Sequence, residues 1–299
     1  MTTIEQILPS RLFPEHPGLG INLALRQGEA VKWREMNEPL IAPPLSLKDS
    51  GRLHVRLARN AREIEAAQRL RYSIFCDEMG ARLPFASSGV DRDPYDPWCD
   101  HLIVRDEQSG EIVGTYRILP PHNVEKAGGY YSESEFDLSR LEPIRDQLVE
   151  VGRSCVRRDY RSGAVIALLW EGLVRYIREH GYGYLAGCAS VSLSDGGQAA
   201  THLYRRLAKN HLCPPEYLVF PHHPLPNAFP DQKEAEAGSS DREKSVEIPP
   251  LLKGYIRAGA WICGEPAWDR DFNSADMFIL LPLSRVSARY AKRFLVKND

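Results

Sequence analysis

The stretch that most constrains this chain is EVGRSCVRRDYRSGAVIALLW, from Glu150 to Trp170. Its make-up changes halfway. Leu148 to Val156 carries the small and β-branched residues of a buried strand. Ala164 to Tyr176 is instead apolar at helical spacing, through Ile166, Leu169, Trp170, Leu173 and Val174. Gly181 is placed to close that helix. Between strand and helix lie Arg157, Arg158 and Arg161, then Ser162 and Gly163. A carboxylate, Glu150, stands at the head of the strand, and Arg153 lies within it.

The neighbouring segments fit around this unit. In RLHVRLARN, Leu53, Val55 and Leu57 alternate with Arg52, His54 and Arg56, which predicts a strand with one buried face. Asn60 and Glu63 make a capping-box-like pair for a helix whose one side carries Ile64, Ala67, Leu70, Ile74 and Phe75, ending at Gly80. The loop GVDRDPYDPWCDH brings Asp91, Asp93, Asp96 and Asp100. HLIVRDEQSGEIVGTYRIL reads as two strands joined around Ser109 and Gly110, and the segment from Gly128 to Gln147 as a loop with a short helix. YGYLAGCASVSL predicts a buried strand, GGQAATHLYRRLAKN a helix and ADMFILLPL a last core strand. The order makes a mixed α/β sheet flanked by helices. Residues 1–50 are rich in Pro and Gly and read as an irregular arm, 51–299 as a single domain, and 221–250 as a mobile polar insertion within it.

A net charge of −2 and the lack of a basic run point away from nucleic acid, so any anionic partner falls to a local patch. The N-terminal MTTIEQILPSRLFPEHPG lacks the order of a signal peptide, and no apolar stretch spans a bilayer, which predicts a cytoplasmic protein. The six cysteines show no CxxC and the nine histidines no HExxH, so single reduced thiols and no metal site are expected. Near the C-terminus, Val286, Tyr290 and Phe294 alternate with Arg285, Arg289, Lys292 and Arg293. Such a basic amphipathic helix suits either peripheral contact with the inner membrane or packing on the sheet.

This element order, with the arginine-rich turn at its middle, resembles the GNAT acyltransferase fold, which implies a mixed, mostly antiparallel central sheet. In that family a Q/R-x-x-G-x-G/A loop binds the pyrophosphate of coenzyme A at a helix N-terminus. Here the register is Arg161-Ser162-Gly163-Ala164-Val165-Ile166, with both family glycines displaced or missing. The departure is similar to a subgroup served by acyl carrier protein: acyl-homoserine-lactone synthases, N-acyl amino acid synthases and ornithine lipid N-acyltransferases. A carrier presents one phosphopantetheine phosphate, so a full glycine cradle is not required. The resemblance covers about residues 52–290 and rests on AAQRLRYSIFCDEMGA, CDHLIV, GEIVGTYRIL, EVGRSCVRRDYRSG and PPLLKGYIRAGAWICGEPAWDRDFNSAD. Among these, the ornithine lipid enzymes match best. They imply transfer of a long 3-hydroxyacyl chain from acyl carrier protein to the α-amine of ornithine, with no permanently bound cofactor. An enzyme for another amino acid, a lactone synthase with a pocket for S-adenosylmethionine and a non-catalytic lipid or carrier-binding protein remain alternatives.

Attack of an amine on a thioester needs deprotonation and positioning, not a protein nucleophile. The resemblance implies Glu150 as general base, against the reading of a strand-end carboxylate paired with Arg153 or Arg117. Tyr204, in ATHLYRRLA, would protonate the leaving thiolate or simply pack. Asp96 and Asp100 would face the second amine of ornithine, while Asp91 and Asp93 do so or form an acidic turn. The four lack the ligand spacing and glycine of a calcium loop. Phe75, one turn on from Arg71, would wall the pocket or belong to the core. Arg71 and Arg117 would lock the acidic loop or hold the substrate carboxylate, with Arg153 beside them. Arg158, Arg161, Ser162 and Gly163 would meet the pantetheine phosphate. Together with Arg157, Arg205, Arg206 and Lys209 these arginines are either a docking face for the acidic carrier or solvated surface.

Overall fold

Alternating apolar residues give β1 (Leu53–Leu57), and Asn60 then caps α1 (Ala61–Tyr72) by accepting the Glu63 N–H at 3.1 Å. The computed structural model describes residues 52–83, 89–225 and 246–286. The expectations for the N-terminal arm, for most of the 221–250 insertion and for all of the basic C-terminal helix beyond Arg285 and Val286 fall outside those residues. Glu63 does not complete the box on Asn60. It accepts the Arg59 N–H at 2.8 Å and pairs with Arg56 at 2.7 Å. The single helix expected up to Gly80 also changes pitch, because Ser73–Glu78 is a π-helical turn. The wider turn buries Ile74 and Phe75 together.

The strands that follow are β2 (Asp100–Asp106), β3 (Ile112–Leu119), β4 (Phe136–Asp137) and β5 (Leu148–Val156). Then come α2 (Ala164–His180), β6 (Tyr184–Ser192), α3 (Gln198–His211) and β7 (Phe220–Pro221). The chain closes with α4 (Pro250–Ala258), β8 (Trp261–Ile262), β9 (Ala267–Asp269) and β10 (Ser274–Pro282). The main sheet has the order β1-β2-β3-β5-β6-β10-β8, with β9 also on β10, while β4 and β7 form a separate pair. Every neighbouring pair in the main sheet is antiparallel except β5 with β6. The expected mixed, mostly antiparallel sheet is therefore present. The two-residue strands β4 and β7 and the three-residue β9 are too short to leave a periodic signal. Helix α2 buries Val165, Leu169, Trp170, Leu173 and Ile177 and packs over β1, β2 and β3.

The parallel pair positions everything else. β5 and β6 are in register only at Leu148–Tyr184, Val149–Leu185 and Glu150–Ala186. Beyond Glu150 the two strands stay attached to their outer neighbours and part from each other. On β3, Arg117 faces Gly152 and Thr115 faces Cys155, so Tyr116 stands opposite both Arg153 and Ser154. That is a β-bulge, and it bends the strand that carries it. Arg153 adopts the left-handed region there, at φ 51°, which is uncommon for a residue with a side chain. The paired end is dry: Leu148 and Ala186 share a core cluster with Leu119, Tyr130, Phe136 and Phe278.

At the fork a glycine is required by contact. A Cβ on Gly187 would lie 2.3 Å from the Val151 carbonyl oxygen. The Gly187→Ala variant should lose about 1–3 kcal/mol of stability through overpacking. Urea unfolding should show a lower midpoint at unchanged slope. A midpoint equal to that of the native chain would mean that the strands spread freely at this point.

Candidate active site

The parted strands enclose a cavity of about 700 Å³. Its walls include β5 from Glu150 to Val156, alternate residues Cys188, Ser190 and Ser192 of β6, and Ile74 and Phe75 of the π-helical turn. Alternation on β6 follows from strand geometry, in which every second side chain shares a face.

Glu150 sits where the strands begin to part and is 6 % exposed. Its Oε1 accepts the Ser132 N–H at 2.9 Å and its Oε2 the Tyr131 N–H at 2.7 Å. Burial pushes its carboxyl above the usual carboxylate range, while the donors on Ser132 and Tyr131 pull it back. The Ser132 side chain bonds the carboxylate as well, and the acceptor site that three donors leave can still take a proton or hydrogen bond from the cavity. Among the described residues no ion pair joins Glu150 to Arg153 or Arg117.

The acidic loop is held by arginines. Arg71 is 0 % exposed and donates from Nε to Asp91 at 2.8 Å and from Nη1 to Asp96 at 2.8 Å. Its Nη2 reaches the Asp91 carbonyl at 2.7 Å and Asp96 at 3.0 Å. Arg117 bonds Asp93 and, at 3.2 Å, Asp96, while Arg153 pairs with Asp93 at 3.3 Å and Asp91 at 3.5 Å. Burial alone would raise the Asp96 carboxyl; hydrogen bonds and charge from Arg71, then the charge of Arg117, hold it well below the usual range. Three aspartates thus meet three arginines. Asp91, Asp96 and Arg71 are not part of the cavity wall, so Arg71 locks the loop. Asp100 accepts the Tyr176 hydroxyl at 2.6 Å and is likewise outside the wall. Neither Asp96 nor Asp100 is offered to a substrate from this cavity.

The segment from α1 to the first turns of α2, residues 70–171, matches the model of an acetyltransferase (GNAT) domain family. The chain is 39% identical over 254 residues to the L-ornithine N(alpha)-acyltransferase of Brucella abortus, covering 80% of this chain and 88% of that one. Proteins of the same name from Agrobacterium fabrum and Rhodobacter capsulatus are 36% and 33% identical, over 80% and 84% of this chain and 84% and 95% of theirs. This chain belongs to the L-ornithine N(alpha)-acyltransferase family. Among solved structures it is similar to FeeM, an N-acyl amino acid synthase from uncultured soil microbes, at 13% identity and TM-score 0.45, covering 78% of this chain and 91% of that one. The acyl-homoserine-lactone synthase LasI gives 12% identity and TM-score 0.45 over 83% and 98%.

In this member of the L-ornithine N(alpha)-acyltransferase family, Arg117, Arg153 and Phe75 do line the cavity. The Arg117 guanidinium lies 5.6 Å from the Tyr95 ring centre and 5.9 Å from that of Tyr131. That of Arg153 lies 4.8 Å from the Phe272 ring, which Phe75 meets edge-on at 5.6 Å. Arg161 lines the far end, bonded to Glu78 and to the Val156 carbonyl, both at 2.9 Å. Arg158, Ser162 and Gly163 are exposed beyond it, and Gly163, at φ 103°, supplies the left-handed residue from which α2 starts. Arg157 is engaged by Asp159 at 2.8 Å and Glu111 at 2.7 Å. Tyr204 is not brought to the cavity. It lies on the buried face of α3 with Ala200, Leu203 and Leu207, and burial raises its hydroxyl to about 12.

Sequence reasoning missed a second acidic group. Asp269 and Asp276 line the cavity. Ligand atoms of Glu135, Asp276 and Cys188 lie within 4.8 Å of one another. Burial, with Asp276 and Asp269 nearby, raises Glu135 to about 9, and burial raises Asp276 to about 6. The one available signal was an aspartate inside the otherwise apolar run ADMFILLPL. The loop network also generates a prediction. Arg71→Met should cost about 3–5 kcal/mol, because it strands two buried carboxylates, and adding Asp96→Asn should recover part of that loss. Chemical denaturation of both variants checks this; a small loss in the single variant would remove Arg71 as the anchor of the loop.

Proposed function

We propose that this chain transfers a long 3-hydroxyacyl group from acyl carrier protein to the α-amine of L-ornithine, the first step of ornithine lipid synthesis. The observation that carries the reading is a buried carboxylate, Glu150, at the closed end of a slot between parted strands, in a chain whose relatives bear that enzyme name. Past Glu150 the inner edge of β5 has no partner on β6. An extended pantetheine arm, with its own amides, suits such an edge in the way an added strand does. Its thioester would then reach Glu150.

The incoming α-ammonium gives one proton to Glu150, whose raised affinity for protons fits that task. The freed amine attacks the thioester carbonyl, the C–S bond breaks, and the thiolate takes the second proton shed by the new amide nitrogen. At the mouth, Arg161 and the exposed Arg158 lie beside the N-terminus of α2, where unsatisfied N–H groups favour a single phosphate. The same arginines suit the acidic carrier, while Arg205, Arg206 and Lys209 stand on α3. A lipid product fits a cytoplasmic protein in peripheral contact with the inner membrane; among the described residues no helix is long and apolar enough to cross a membrane.

Two measurements test the reading. With ornithine as acceptor and the same acyl group on each donor, kcat/KM should favour the carrier over coenzyme A. Equal values would reject the donor, and absence of acylornithine from both would reject the reaction. Glu150→Gln should lower turnover about a hundredfold or more, with partial recovery at higher pH as solvent supplies free amine. Because the amide has one acceptor oxygen for two loop N–H groups, thermal unfolding is recorded alongside. Near-normal turnover at neutral pH would leave Glu150 as a loop anchor only.

A further inference from the structure

Asp269 and Asp276 in the cavity wall, and Glu135 behind the wall residue Cys188, lack the arginine partners that the acidic loop has. We propose that Glu135, Asp269 and Asp276 form the subsite for the side-chain ammonium of the acceptor, and so set a preference for a dibasic amino acid. The inference rests on the ornithine reading and deepens it.

Position comes first. Ser132, whose N–H binds Glu150, has its hydroxyl 3.4 Å from Cys188 Sγ, and that sulfur lies 3.7 Å from Glu135 Oε2. One loop residue and one thiol therefore separate the carboxylate that meets an α-amine from those that would meet a second amine. Asp269 and Asp276 complete the group from the neighbouring strands β9 and β10.

Unused hydrogen-bonding capacity is the second observation. Asp269 is 8 % exposed, and its Oδ1 accepts the N–H groups of Asp271 and Phe272 at 2.8 and 3.0 Å. Its Oδ2 accepts a hydrogen bond from no described residue, although Asp269 lines the cavity. Asp276, 3 % exposed, takes the Ser274 hydroxyl at 2.8 Å and a second side-chain hydrogen bond from Ser190, so the free acceptor of the pair in the wall is Asp269 Oδ2. Among the described residues no ion pair reaches any of the three. Arg153 acts on Asp269 and Asp276 through its charge alone and is paired with Asp91 and Asp93.

Buried like charges without a cation are costly, and the proton affinities of Glu135 and Asp276 show that cost. An alkylammonium supplies one positive charge and three N–H donors, which match three carboxylates in a desolvated site. A site built this way rejects an analogue that lacks the donor, because its own polar groups are then left unmet. Norvaline, which ends in a methyl where ornithine has a methylene and its ammonium, is such an analogue.

The test compares ornithine with norvaline as acceptors, using the full chain and the carrier-bound donor. In Glu135→Gln, Asp269→Asn and Asp276→Asn the ratio of kcat/KM for ornithine over norvaline should fall at least tenfold, through a higher KM for ornithine. Asp269→Asn keeps the Oδ1 acceptor of its turn, so it reports on selectivity even if the other two fold poorly. An unchanged ratio in well-folded variants would overturn the proposal. Calorimetric titration with ornithine alone is the second arm, and affinity should drop in all three variants. If the native chain formed no acylornithine, the functional reading would fall, yet ornithine binding lost on substitution would still support the subsite. Zinc or manganese added alone addresses the thiol-containing trio of Glu135, Cys188 and Asp276; tight metal binding that ornithine does not displace would overturn it.

Discussion

Two parallel strands that hydrogen-bond for three residue pairs and then part leave a strand edge inside the molecule with no partner strand among the described residues. Buried backbone groups demand partners, so such an edge must be met by water or by a ligand. The rest of the site follows from that constraint. The bulge at Arg153 bends β5 away, Gly187 admits the Val151 carbonyl at the fork, and Glu150 marks the last residue before the opening. Helix α2, which must cross back over the sheet after β5, starts beside the far end of the same opening.

The two acidic groups differ in how their charge is balanced. In the loop, Asp91, Asp93 and Asp96 are each met by an arginine guanidinium, which makes the network a fastener between α1, β3 and β5. Glu135, Asp269 and Asp276 have serines, a thiol and backbone amides for company, but no paired cation among the described residues. The first arrangement is complete without a substrate. The second is not.

Legibility in the sequence tracked how local each signal was. β5 was readable from Leu148 to Val156 because small and branched residues dominate it and its first four residues are buried, and α2 because its apolar stripe is long. The π-helical turn was not, since its residues keep a spacing that also suits an α-helix. Glu150, Arg153, Arg117, Phe75 and Arg161 were singled out and do meet at one cavity. The aspartate run drew attention by its number of charges, but a count does not reveal that Arg71, Arg117 and Arg153 arrive from α1, β3 and β5 to absorb them. Tyr204 shows the same limit, because periodicity says that a helix has an inner face but not which cavity that face adjoins. Glu135, Asp269 and Asp276 come from three segments that only the sheet brings together.

Glu150 has two occupations at once: it faces the cavity, and it clasps the amides of Tyr131 and Ser132. An ionised carboxylate accepts stronger hydrogen bonds than a neutral acid does. Whenever Glu150 takes a proton, its hold on the loop slackens, and whenever it gives the proton up the clasp tightens again. Tyr131 belongs to that loop and forms part of the cavity wall. On the proposed role of Glu150 as the base, the wall would be tight while the amine waits to be deprotonated and loose once the acyl group has moved, which would tie product egress to the proton that started the reaction.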